Sequence, residues 1–326
     1  MAGLADFSFT TDLHLRLLLS LDRGHNLRRA IEKAVGRGAH VLDAGTGSGV
    51  LSFLALNAGA EQVVGVDRQH LDTARILAKH NGMDDRVRFI EADLMEPELP
   101  ELTGGRPFDV LLAFIYTNHP LEDEARSRMV FSLRDRFCFD NSVIVPGFIR
   151  YSVTGCERTD WDMQTEFSDL RQSAKLLKEC YDLDFQPLID RTIQELAVKR
   201  SRPIDTASRD WRPPTRMGSV RFPRKDLRLL TEPTHYTEID YSAPAFVGFP
   251  AETTLSMTVP GRLTGVLWTQ ELIFDGKPLW TTETYSPLRE SLSVAADDSV
   301  VIHTDEAWRA SNVLSAGRLP AAPKSR

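Results

Sequence analysis

Residues 41–67 read VLDAGTGSGVLSFLALNAGAEQVVGVD, and this stretch decides the predicted fold. A short apolar strand runs into a loop with glycines at 45, 47 and 49, and a helix and a second apolar strand follow. Glycine removes the Cβ and permits positive φ, so the backbone amides of such a loop can approach a ligand closely. A tight turn without a ligand would show the same glycines, so the loop alone identifies no cofactor.

The segments around this loop continue the alternation of strands and helices. We predict further strands in RVRFIEAD, FDVLLAF and SVIVPG, with helices between them and before the first strand. This order is typical of a parallel sheet covered on both faces. After about residue 148, apolar and polar residues alternate and Pro and Gly interrupt the runs, which indicates antiparallel strands. Asp275-Gly276 predicts a hairpin between two of them.

We therefore expect an α/β protein of two domains. Residues 1–147 are predicted to form a Rossmann-like parallel-sheet domain with N-terminal helices. An antiparallel β-barrel domain is predicted at 148–315, with a helical arm inserted at about 165–205. Residues 316–326 lack apolar periodicity, and we expect a loose tail there.

Composition narrows the range of partners. The formal net charge of −7 argues against a general nucleic-acid binder, which needs a basic surface. The three cysteines show neither pairing nor metal-ligand spacing, so we expect reduced thiols and no metal. No apolar run approaches the roughly 20 residues that span a bilayer, and no signal-peptide pattern opens the chain. These features predict a cytoplasmic protein that binds no membrane.

Acidic residues flank the glycine loop. Asp43 precedes it, and Asp67 closes the next strand, where a carboxylate can bind both hydroxyls of a ribose. The loop lacks the Lys-Ser/Thr of a phosphate-binding P-loop, and Asp43 would repel phosphate. The combination resembles motif I of class I S-adenosylmethionine-dependent methyltransferases. That resemblance implies that Asp93, with Leu94 beside it, contacts the adenine, and that the product is S-adenosylhomocysteine.

The longer stretch GVLSFLALNAGAEQVVGVD is similar to protein arginine methyltransferases in particular. The resemblance extends to the N-terminal helix, where it implies that Arg23 meets the carboxylate of the cofactor's methionine part. Residues 181–185 (YDLDF) correspond to the family's dimerisation arm, which implies a homodimer. A helix-surface position would also account for His14 and for Arg23. The predicted cofactor residues are His14, Arg23, Asp43, Gly45, Thr46, Gly47, Gly49, Asp67, Arg68, Asp93 and Leu94.

The chain departs from this family at the acceptor site. The family carries two glutamates after the fourth strand, and both hold a guanidinium, which suits planar bidentate pairing. Here Phe114 stands at the first position, and the second falls at or next to Asp123. A charge cluster at a helix N-terminus would also account for the acids at 122–124. The family's Thr-His-Trp stretch corresponds to PLWTTETY, which has no histidine. We expect an apolar acceptor pocket lined by Phe114, Ile115 and Trp280.

The loop after the fourth strand also supplies candidate catalytic residues. Parallel sheets place their active sites at this strand end. Tyr116 and His119, near Glu122 or Asp123, could remove a proton from the acceptor. A core position would also account for Tyr116, and an exposed turn would account for His119.

These features predict an S-adenosylmethionine-dependent methyltransferase of the small-molecule, natural-product branch. The expected acceptor is aromatic or indolic, methylated at carbon or nitrogen, with indole C3 as one candidate. One alternative is a protein or peptide arginine N-methyltransferase with a degenerate glutamate clamp. Another is a non-catalytic partner that binds the cofactor.

Overall fold

The computed structural model gives bounds for five helices in the part of the chain that it describes. The described residues are 18, 20–69, 71–96, 101–117, 120–159, 171, 175, 184, 186–200, 202–203, 227–304 and 314–319. The helices are α1 (Leu21–Ala34), α2 (Val50–Ala58), α3 (Leu71–His80), α4 (Pro120–Phe137) and α5 (Gln186–Arg200). None of the helices in these residues is long and apolar enough to cross a bilayer.

The first half of the chain forms a parallel sheet. Its neighbouring strands pair in the order β3-β2-β1-β4-β5, and every described pairing is parallel. All five residues of β1 are buried, as expected for a strand covered on both faces. The strands are β1 (His40–Ala44), β2 (Gln62–Asp67), β3 (Val87–Glu91), β4 (Phe108–Ala113) and β5 (Cys138–Val145). The predicted Rossmann-like domain is confirmed.

Glycine and charge determine where the helices beside this sheet begin and end. Helix α2 ends at Gly59, whose φ of 113° lies in the left-handed region that glycine tolerates. Helix α4 carries Glu122 and Asp123 in its first turn and Arg134 and Arg136 in its last, and each pair complements the helix dipole.

The second half forms the β domain, which comprises strands β6–β14 in two antiparallel sheets. One sheet has the order β7-β12-β11-β6-β8, with β9 also paired to β6, and the other has the order β10-β13-β14. Asp275 and Gly276 both have positive φ, at 52° and 69°, and form the predicted hairpin turn between β11 and β12. The strands are β6 (Phe148–Arg158), β7 (Arg202–Pro203), β8 (Leu227–Leu229), β9 (Thr234–Asp240), β10 (Glu252–Ser256), β11 (Gly261–Phe274), β12 (Lys277–Val294), β13 (Ser299–His303) and β14 (Ser315–Arg318).

The predicted tail needs a correction. Residues 316–318 belong to β14, which pairs with β13, so they are not a loose end. The pairing uses backbone groups while none of the four side chains of β14 is fully buried, and this explains why the sequence shows no apolar periodicity there. Residues 320–326 lie outside the described residues. So does most of the predicted arm, of which the structure describes α5, β7 and single residues.

The two halves share buried surface. One face of the parallel sheet, with Leu42 and Leu111, contributes to the same hydrophobic cluster as Ile149 and Trp268 of the β domain. The opposite face packs with α1, α2 and Leu279 of β12 in a second cluster. The β domain therefore contacts both the sheet and the N-terminal helix.

Candidate active site

The glycine loop and the loop after β4 meet at one edge of the parallel sheet. Strands β1 and β4 are neighbours, and Ala44 pairs with Ala113 at their carboxyl ends. An added Cβ on Gly45 would lie 2.3 Å from Cγ2 of Ile115, so the two loops are in direct contact there. Connections diverge on either side of β1, and open α/β sheets bind their ligands in the crevice at such a switch point.

The glycine loop is held on the end of β2 by backbone hydrogen bonds. The amides of Gly45 and Thr46 both donate to the Val66 carbonyl, at 2.8 and 3.0 Å. The Gly47 amide donates to Asp67 Oδ2 at 2.9 Å. The glycines at 45, 47 and 49 have φ of 75°, 53° and 82°, which an L side chain rarely adopts. The three glycines are therefore required by the backbone of this turn.

Asp43 is fully buried beneath the loop, and only one of its oxygens has partners. Thr46 Oγ1 and Ser52 Oγ donate to Oδ2, at 2.7 and 2.6 Å. Burial raises the pKa of Asp43 to about 6, although the two hydroxyls oppose the shift. Oδ1 is buried and has no hydrogen-bond partner among the described residues. An unsatisfied buried acceptor costs about 1–3 kcal/mol, so this oxygen is suited to a donor from a bound ligand.

The other predicted cofactor residues lie at the neighbouring strand ends. Asp67 is half-buried and ends β2, which pairs with β3. The Ala92 amide donates to the Asp67 carbonyl at 3.1 Å, which holds the start of the segment after β3 next to β2. Asp93 Oδ1 accepts from the Met95 amide at 2.9 Å, and Leu94 packs against the core. Arg68 is exposed.

Arg23 stands in the first turns of α1 and faces the β domain. Its guanidinium lies over the Trp280 ring of β12, 5.7 Å from the ring centroid. Burial lowers the pKa of Arg23 to about 10. Among the described residues no carboxylate forms an ion pair with it, so an anionic ligand group would compensate its charge. His14 lies outside the described residues.

Asp123 is the best connected of the predicted catalytic residues. It is 0% exposed. Oδ1 accepts from the amide and the hydroxyl of Thr117, at 2.8 and 3.0 Å. Oδ2 accepts from the Tyr151 hydroxyl at 2.7 Å and from Gln270 Nε2 at 2.9 Å. Burial raises the pKa of Asp123. A carboxylate offers about four acceptor positions, and here four donors occupy them.

The Tyr116 hydroxyl forms a hydrogen bond with the Tyr241 hydroxyl. Burial raises the pKa of Tyr116 well above its usual value, so the phenol stays protonated at neutral pH and is suited to donating a hydrogen bond. Glu122 is half-buried and lies 3.6 Å from Arg126, which also donates to the Ile115 carbonyl. His119 lies outside the described residues.

The predicted pocket residues pack against one hydrophobic cluster. Phe114, Ile115 and Trp280 are half-buried and pack against the cluster that both domains build. Phe114 also contacts the second cluster, on the other face of the sheet. An aromatic residue therefore comes directly after β4, next in the chain to Ile115, which contacts the glycine loop.

Two partners of Asp123 were not predicted. Tyr151 and Gln270 are cross-strand partners in β6 and β11, and both are buried. The sequence does contain a signal for Gln270, because it lies in strand alternation with Val266, Trp268 and Leu272. A polar residue on an apolar strand face indicates a buried polar partner, although it does not identify Asp123.

The parallel domain matches known methyltransferases. Residues 26–122 match the family model described as ribosomal protein L11 methyltransferase (PrmA). Protein arginine N-methyltransferase 7 of Anopheles gambiae is 46% identical over 72 residues, which are 22% of this chain and 10% of that protein. Protein arginine N-methyltransferase PRMT10 of Arabidopsis thaliana is 30% identical over 155 residues, 45% of this chain and 38% of that protein. The aligned part thus spans well under half of either relative.

A solved structure extends the likeness to nearly the whole chain. A chain of the Trypanosoma brucei PRMT1 enzyme-prozyme heterotetrameric complex with AdoHcy aligns with a TM-score of 0.58 and 17% identity, covering 89% of this chain and 86% of that one. The predicted order of a parallel methyltransferase domain and an antiparallel domain is thereby confirmed. The parallel domain is similar in sequence to methyltransferases, and the reaction and cofactor predicted from the sequence agree with these matches.

Proposed function

We propose that this chain is an S-adenosylmethionine-dependent methyltransferase whose acceptor is a small aromatic or indolic molecule. The names of its relatives support methyl transfer, and the AdoHcy in the Trypanosoma brucei complex supports the cofactor. The observation that favours a small apolar acceptor is Phe114, which follows β4 at the position where the resemblance to arginine methyltransferases would place an acid.

The residues of the crevice fit this cofactor. The half-buried Arg23 offers a cation for its carboxylate, and Asp67 at the end of β2 is suited to ribose hydroxyls. Asp43 Oδ1 has no hydrogen-bond partner among the described residues and can accept a hydrogen bond from the cofactor. Asp93 lies at the neighbouring strand end. When bound, S-adenosylmethionine supplies a methyl group activated by a sulfonium.

On the acceptor side, we propose an apolar wall of Phe114 and Ile115, of which Ile115 contacts the glycine loop. A guanidinium placed against this wall would lose water without gaining a carboxylate, which is unfavourable by several kcal/mol. Asp123 compensates poorly because Thr117, Tyr151 and Gln270 already donate to both its oxygens. Tyr116 is suited to orienting the acceptor as a protonated phenol, and Glu122 and His119 remain the proposed bases.

Arginine N-methylation is the second candidate, and the comparisons favour it over a small-molecule acceptor. Two of the proteins compared above are arginine N-methyltransferases by name. This function would require Asp123 to give up donors on substrate binding, or Glu122 to act as the clamp acid.

An acceptor panel with mass-spectrometric detection distinguishes the two candidates. We expect the purified protein to methylate a tryptamine-like compound and to leave arginine-rich peptides unmodified. Phe114→Glu should reduce methylation of the indole. Phe114→Gln is the matched control, because glutamine has the size of glutamate without its charge. Robust methylation of arginine peptides by the wild type would reject the small-molecule acceptor.

The assembly and location are also proposals. We propose a homodimer through the arm at about 165–205, domains at 1–147 and 148–315, a cytoplasmic location, and no nucleic-acid or membrane partner. The net charge of −7 supports the absence of a nucleic-acid partner. Light scattering after size exclusion tests the dimer, with deletion of the arm as the comparison.

A further inference from the structure

Helix α1 lies along the β11–β12 hairpin and contacts it at three points. Lys33 forms an ion pair with Asp275 at the hairpin turn. Asn26 Nδ2 donates to the Leu279 carbonyl at 3.4 Å. Arg23 lies over the Trp280 ring. As the helix runs from Arg23 to Lys33, its contacts run from Trp280 back to Asp275, so the helix and the start of β12 lie side by side in opposite directions.

The Arg23–Trp280 contact differs from the other two because it involves a cation without an anionic partner among the described residues. The Lys33–Asp275 pair is exposed, and each charge has its partner. Arg23 is half-buried, and among the described residues its guanidinium lies against the Trp280 ring. An aromatic face attracts and orients a cation without neutralising its charge. The guanidinium is thus held in place and still able to bind an anion.

We infer that Trp280 is a positioning residue for the cofactor, because it holds the Arg23 guanidinium where it binds the cofactor's carboxylate. This inference rests on the proposed function. It gives the β domain a role in cofactor affinity, although every predicted cofactor residue lies in the parallel domain. Trp280, like Phe114 and Ile115, packs against the hydrophobic cluster that both domains build.

Calorimetric titration of the full-length protein with two probes tests the inference. S-adenosylhomocysteine carries the carboxylate, whereas 5′-methylthioadenosine carries the adenosine without it. We expect Trp280→Leu to weaken S-adenosylhomocysteine binding about tenfold, which lies between the strengths of an exposed and a desolvated cation–π contact, and Trp280→Phe to weaken it less. Binding of 5′-methylthioadenosine should change less than twofold. A general loss of structure would weaken both probes alike.

Two controls separate positioning from docking. Asp275→Ala removes the exposed contact of the same helix and hairpin, and we expect it to leave S-adenosylhomocysteine affinity within twofold of the wild type. In an Arg23→Ala background, Trp280→Leu should have no further effect, because Trp280 acts through Arg23.

The outcomes are distinct. If the wild type binds S-adenosylhomocysteine and Trp280→Leu binds it equally well, the inference is wrong while the proposed function stands. Equal weakening of both probes, or a full effect of Trp280→Leu in the Arg23→Ala background, also overturns it. If the wild type does not bind S-adenosylhomocysteine, both the proposed function and the inference are wrong.

Discussion

Replacing Tyr151 by phenylalanine should destabilise the protein by about 2 kcal/mol, although it removes a single oxygen atom. The Tyr151 hydroxyl donates to Asp123 Oδ2 at 2.7 Å and accepts from Gln270 Nε2. Hydrogen bonds to a charged acceptor contribute about 1.5–3 kcal/mol, and the buried Asp123 carboxylate cannot replace a lost donor with water. Phenylalanine keeps the ring, so the loss reports the hydroxyl rather than a cavity.

Tyr236→Phe is the matched control. In the wild type, the Tyr236 hydroxyl donates to the Pro250 carbonyl at 3.1 Å, which is an uncharged acceptor, and the Tyr236 ring is also buried. A neutral hydrogen bond contributes about 1 kcal/mol, so we expect this variant to lose about half as much stability as Tyr151→Phe. The difference between the two variants measures the contribution of the Asp123 carboxylate together with that of the Gln270 hydrogen bond to the same hydroxyl.

Denaturant unfolding followed by circular dichroism measures both losses, and acceptor kinetics measure the consequence at the site. Asp123 joins Thr117 of the loop after β4 to β6 and β11. If Asp123 positions that loop, Tyr151→Phe should raise the acceptor KM while leaving the S-adenosylhomocysteine affinity unchanged.

Two results would refute this reasoning. The first is a Tyr151→Phe variant that is as stable as Tyr236→Phe, because the carboxylate would then contribute nothing beyond a neutral bond. The second is an Asp123→Asn variant of wild-type stability that no longer binds acceptor, because Asp123 would then be an open ligand for the substrate.

Three further predictions concern the cofactor crevice. Asp67→Ala should weaken S-adenosylhomocysteine at least tenfold in calorimetry, because a carboxylate at this strand end is suited to ribose hydroxyls; unchanged affinity would contradict the cofactor assignment. Gly45→Ala should destabilise the protein by more than about 1 kcal/mol, since φ is 75° and the new Cβ would lie 2.3 Å from Ile115. Adding Ile115→Ala should relieve the clash but not the backbone strain. Full recovery of the unfolding midpoint in the double variant would contradict a strained backbone. Asp43→Asn should remove a pH dependence of stability. The folded pKa of about 6 exceeds the ordinary 3.8, so the wild type is favoured below pH 4 and loses about 3 kcal/mol relative to the variant as pH rises to 6; parallel stability profiles would reject this.

The parallel domain could be predicted from the sequence because its signals are local. Buried parallel strands appear as short apolar runs, and glycine marks the turn before α2 and the end of that helix. Since the carboxyl ends of parallel strands meet at one edge, the positions of Asp43, Asp67 and Asp93 at or just past the ends of their strands already place them near one crevice. The hairpin at Asp275-Gly276 was equally local, since both residues tolerate positive φ.

The environment of each side chain, by contrast, was decided by tertiary structure. The donors to Asp123 Oδ2 lie 28 and 147 residues away along the chain, on strands of the other domain. The contacts between Gly45 and Ile115 and between Arg23 and Trp280 likewise join distant segments. The periodicity of a sequence indicates which face of an element is buried, but not which residue will face it there. The sequence by itself therefore determined the class of domain and its crevice. Packing of the β domain against the sheet decided that both oxygens of Asp123 are occupied by donors and that Arg23 lies over Trp280 with no carboxylate partner among the described residues.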